Sequence, residues 1–74
     1  MIKKLDTKGL LCPLPVLKAR KTLSRLAQGD ILYVFATDPA AIVDMPHYCE
    51  ESGHTLLDIE EQDNGVTLYK IEKS

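Results

Sequence analysis

The run Cys12-Pro13-Leu14-Pro15 holds the residue in this 74-residue chain best suited to do chemistry. Proline favours the first position of a helix, because its missing N–H would have found no partner there. Cys12 therefore stands at or next to the N-cap of a helix. Unpaired amides and the helix dipole put partial positive charge at that end. A thiolate is stabilised there, so the Cys12 pKa is expected below the free value of about 8.5. A lowered pKa makes sulfur a nucleophile near neutral pH. Pro13 and Pro15 stiffen the turn and would hold Cys12 outward. The competing reading is a buried, inert thiol; a core cysteine, however, needs no proline on both sides of its neighbour.

Other reactive side chains read more plainly. At 100° per residue, Lys18, Lys21 and Arg25 form one stripe, with Leu14 at its top near Cys12. This suits a docking patch for an acidic partner; a solvated helix face is the plainer alternative. Met45, Tyr48, Cys49 and Ser52 would share a face, preceded by Ile42 at similar spacing. Cys49 then reads as a small buried hydrophobe, or else as a resolving thiol for Cys12. His47 and His54 match no common zinc spacing with the two cysteines, so no metal is expected. Asp38 and Asp44 read as helix caps. There is no Gly-rich phosphate loop, and no cofactor is expected.

The elements that must position these residues follow from periodicity. A first strand is expected over Ile2–Thr7, with a turn at Gly9. A helix over residues 13–27 has Val16, Ala19, Leu23, Leu26 and Ala27 on its apolar face, and Gly29 stops it. Ile31–Ala36 is almost continuously apolar, as an interior strand requires. A short turn should follow Pro39. A second helix should restart with Asp44 as its cap and Pro46 in its first turn, and end at Gly53. Thr55–Glu61 and residues 66–71 should form a hairpin around Asp63-Asn64-Gly65. The order β-α-β-α-β-β predicts an α+β two-layer sandwich in one domain over residues 1–74. Both helices would lie on one face of a four-stranded mixed sheet.

Composition bounds the function. A chain of this size buries only about 60–65% of its unfolded surface, so a deep cofactor pocket is not expected and chemistry belongs at the surface. No apolar run approaches the roughly 20 residues of a membrane span, so no membrane contact is expected. The N-terminal residues lack the apolar stretch of a signal peptide, which favours a reducing cytoplasm and free thiols. Residues 1–26 hold seven basic side chains and one acid, whereas residues 27–74 hold two and ten. Such a split suggests a polar partner for one surface. A nucleic-acid-binding or regulatory module fits the basic first helix. Against it stand the net charge of −2 and only four aromatic residues. A redox protein using Cys12 and Cys49 is a further alternative.

The stretch from Gly9 to Lys21 resembles the TusA/SirA family of sulfur carriers, whose signature is Cys-Pro-x-Pro after the first strand. Gly29-Asp30, Thr37-Asp38-Pro39, Asp44-Met45-Pro46 and Ser52-Gly53-His54 extend the resemblance along the whole chain. It implies the same β-α-β-α-β-β sandwich, akin to the C-terminal domain of bacterial translation initiation factor three, and a monomer. It also implies that Cys12 accepts sulfane sulfur from a cysteine desulfurase or another donor, as a persulfide, and hands it to an acceptor protein. The pathways implied are tRNA thiolation, molybdenum-cofactor assembly and sulfur oxidation. Members that feed tRNA thiolation often carry an acid between the two prolines, where Leu14 stands here.

Overall fold

A computed structural model describes residues 1–74. Four strands, β1 (Ile2–Thr7), β2 (Ile31–Ala36), β3 (Thr55–Glu61) and β4 (Thr67–Glu72), form one mixed sheet in the order β1-β2-β4-β3. β1 runs parallel to β2, and β4 is antiparallel to both β2 and β3. Two helices, α1 (Leu14–Leu23) and α2 (Ala41–Ser52), cover one face. The α+β sandwich is the architecture that the sequence predicts.

The core lies between these layers. Ala19 and Leu23 from α1 meet Ala41, Met45 and Cys49 from α2 above Leu32, Val34, Ala36, Tyr69 and Ile71 of the sheet. Alternation along β2 sends Leu32, Val34 and Ala36 to the helices and leaves Ile31, Tyr33 and Phe35 half-buried on the other face. Asn64 and Gly65 both hold positive φ in the β3–β4 turn, the backbone that Asn-Gly favours.

Both helices depart from their expected limits. α1 ends at Leu23 rather than near residue 27, because other groups satisfy its last carbonyls. The Ser24 hydroxyl donates to the Lys21 carbonyl, the Ser24, Arg25 and Leu26 amides donate to the carbonyls of Arg20, Thr22 and Leu23, and Lys73 Nζ also donates to the Leu23 carbonyl at 2.9 Å. Ala27 is consequently exposed, outside the helix. α2 is continuous from Ala41 and runs through Pro46. The proline deprives only the Ile42 carbonyl of its helical donor, and Ile42 lies on the solvent side, where water can replace it. Asp44 is therefore in the first turn of α2 and is not its cap. Ile42 and Ser52 are exposed, so the buried stripe of α2 is Ala41, Met45 and Cys49, narrower than periodicity suggested.

Candidate functional site

Parallel pairing of β1 with β2 brings the two strand-to-helix junctions to the same edge of the sheet. Cys12, between β1 and α1, thereby meets Asp38 and Asp44, which open α2. The Cys12 N–H donates to Asp38 Oδ2, while Asp38 Oδ1 accepts the Ala40 N–H at 3.1 Å. The Cys12 thiol donates to Asp44 Oδ2 at 2.9 Å. Gly9 N–H donates to Thr37 Oγ1 at 2.9 Å, tying the two junctions together once more. Asp38 is therefore not the cap of α2, whose N-cap is Ala40; it closes the turn before the helix and anchors the cysteine loop. The contact of Asp44 with Cys12 spans 32 positions in sequence, and no local signal announces it.

Cys12 is exposed, and the Cys12–Pro13 peptide is cis. Its electrostatics reverse the expectation from the helix dipole. The hydrogen bond to Asp44 pushes the thiol pKa above its ordinary value. Desolvation and the negative charges of Asp44 and Asp38 push the same way. The helix end has little to set against them. Cys12 precedes the Pro13 N-cap, the Leu14 amide is taken by the Leu11 carbonyl, Pro15 has no N–H, and Leu17 bonds Pro13. Only the Val16 amide of the first turn lacks a backbone partner. The two carboxylates also reach Tyr69, whose phenol is pushed up first by burial and then by Asp38 and Asp44.

A shallow groove of about 240 Å³ opens beside the sulfur, between the helices. Cys12, Pro13 and Val16 line one side, and Asp44, His47, Tyr48 and Glu51 the other. His47 Nε2 lies 3.2 Å from Glu51. Pro15 turns into the core while Pro13 stays exposed. Leu14, Lys18 and Lys21 lie exposed along α1, and neither lysine forms an ion pair. Arg25 is exposed too, but it lies beyond the end of α1, so helical periodicity no longer aligns it with the stripe. Leu11 and Leu17, at 68% and 48% exposure, widen the apolar part of this surface beyond Leu14. Leu17 falls off the Val16, Ala19 and Leu23 face of α1, and that departure from the apolar period was the available signal. Cys49 is packed in the core, and burial pushes its thiol up to about 11.

The fold is a small α+β sandwich with an exposed cysteine at its shared strand–helix edge, and comparison with known proteins gives it a family. The family model described as sulfurtransferase TusA matches residues 3–73. The sulfur carrier protein TusA of Allochromatium vinosum is 39% identical over 72 residues, covering 97% of this chain and 93% of that one. Candidate sulfur carrier proteins of Neisseria meningitidis serogroups A and B are each 52% identical over 64 residues, 86% of either chain. The crystal structure of a SirA-like protein from Desulfitobacterium hafniense superposes with a TM-score of 0.86 at 30% identity, covering 97% of this chain and 96% of that one. The chain belongs to the TusA family of sulfur carriers. A sulfur carrier works between a donor and an acceptor. No helix is long and apolar enough to cross a membrane.

Proposed function

We propose that Cys12 carries sulfane sulfur as a persulfide in a cytoplasmic relay. The observation that supports this most is the exposed Cys12 thiol at the edge where both helices begin, in a chain of the TusA family. The Cys12 sulfur attacks the terminal sulfur of a donor persulfide, such as that of a cysteine desulfurase. The donor S–S bond breaks, the donor leaves as a thiolate, and Cys12 holds Sγ–S–H. A nucleophile on the acceptor protein then takes the terminal sulfur, and Cys12 returns to thiol. A shallow groove suits this chemistry, because each partner brings its own reacting atom. Leu14, Lys18, Lys21 and the nearby Arg25 form the docking surface, and an acidic partner complements it.

Incubation with a cysteine desulfurase and cysteine, followed by intact mass measurement, tests the proposal. The expected result is a gain of one sulfur atom, reversed by reductant and absent in Cys12→Ser. A gain located on Cys49 instead refutes the assignment.

A further inference from the structure

We propose that Asp44 is the proton acceptor for Cys12 during sulfur uptake, its Oδ2 taking the thiol proton as Sγ attacks the donor persulfide. The inference rests on the carrier reading above.

The geometry singles out this carboxylate. Asp44 Oδ2 is already 2.9 Å from Sγ and accepts its proton in a hydrogen bond, the reach that general base catalysis needs. Its backbone is fixed in the first turn of α2, where the Asp44 N–H donates to the Ala40 carbonyl at 3.0 Å. The side chain makes no ion pair and no other hydrogen bond. The alternatives are engaged elsewhere. Both oxygens of Asp38 accept backbone amides, and His47 is paired with Glu51.

The charges around Sγ give the proton transfer its purpose. Asp44 and Asp38 face the sulfur from the start of α2, and His47, Tyr48 and Glu51 of α2 line the same groove. From the α1 side Val16 and the N-cap Pro13 line that groove, and they bring no charge. A thiolate formed in advance would sit as an additional anion beside two carboxylates, which disfavours it. Passing the proton to Asp44 while Sγ bonds to the incoming sulfur avoids that state. The balance closes. Cys12 thiol, Asp44 carboxylate and donor persulfide become Cys12 persulfide, Asp44 carboxylic acid and donor thiolate. The acid then returns its proton to the departing thiolate or to water. The same pair keeps the empty carrier unreactive until a persulfide is presented.

The test compares Asp44→Asn with the parent in a Cys49→Ala background, so that one thiol titrates. Ultraviolet absorbance of the thiolate reports ionisation, and single-turnover mass measurement reports uptake from pH 6 to 8. Asparagine removes the negative charge, so more thiolate is expected at neutral pH. Uptake is nevertheless expected to fall by about 10²-fold, the lower end of what a positioned base contributes. The parent rate should be nearly flat across this range, while that of Asp44→Asn rises about tenfold per pH unit, as free thiolate dictates. Asp44→Glu should recover part of the rate. Faster uptake together with more thiolate overturns the proposal and leaves Asp44 as an electrostatic brake. Slower uptake with unchanged ionisation also overturns it, leaving a structural role. Absence of sulfur gain in the parent protein would instead defeat the carrier reading itself.

Discussion

Cys12 and Cys49 are the same residue in two surroundings, and both thiols are held protonated. For Cys49 the cause is burial among Ala41, Met45 and their neighbours, which no partner can lift without opening the helix layer. For Cys12 the cause is a hydrogen bond and two nearby charges on an open surface. An approaching partner can change these by neutralising, displacing or protonating Asp44. A raised thiol pKa therefore marks an inert residue in one place and a restrained one in the other. Exposure, and not the direction of the shift, separates them.

Three measurements break or sharpen this contrast. The largest effect is expected in alkylation of the native protein. Cys49 should react roughly 10³-fold more slowly than Cys12 if opening the helix layer costs about 4 kcal/mol. Peptide mapping after timed iodoacetamide treatment checks it, and comparable rates would erase the distinction.

A smaller effect concerns alkaline pH. The unfolded chain loses the Cys49 proton near pH 9, whereas the fold keeps it to about 11. The folded form binds more protons between those values, so this contribution is complete below pH 9 and is lost as pH rises through 11. It amounts to about 2–3 kcal/mol. The stability of the parent relative to Cys49→Ala, from urea unfolding, should therefore decline by that amount across the window. A constant difference would mean that burial does not hold the thiol.

The smallest effect is on stability at neutral pH. Cys12→Ser should stay within about 0.5 kcal/mol of the parent, as a surface substitution does, while sulfur loading is expected to be lost. A larger loss would make Cys12 part of the fold rather than cargo-bearing surface.

Much of the architecture was legible because it is written locally. Ile31–Ala36 reads as an interior strand from its apolar run, and Asn64-Gly65 as a hairpin turn from its conformational preference. The limits of α1 were not legible, since the Lys73 ammonium that satisfies the Leu23 carbonyl comes from 50 residues away. Pro46 misled for a related reason. Whether a proline breaks a helix depends on whether solvent reaches the carbonyl it leaves unpaired, and that is a property of the assembled surface. In the candidate site, the exposure of Cys12 was legible from its prolines, but its electrostatics were not. The sequence places a helix dipole beside the thiol, whereas only the parallel pairing of β1 and β2 brings Asp38 and Asp44 there.

Tyr69 gives the molecule an internal optical gauge. Its ring is buried in the sheet, and its phenol responds to Asp38 and Asp44 without touching the exposed sulfur chemistry. Removing the charge of either carboxylate, by a cationic partner docking against it or by an amide substitution, lowers the alkalinity at which this tyrosine ionises. With Tyr33 and Tyr48 replaced by phenylalanine, the ultraviolet band of one native side chain would track the electrical state of the strand–helix edge, with no label attached.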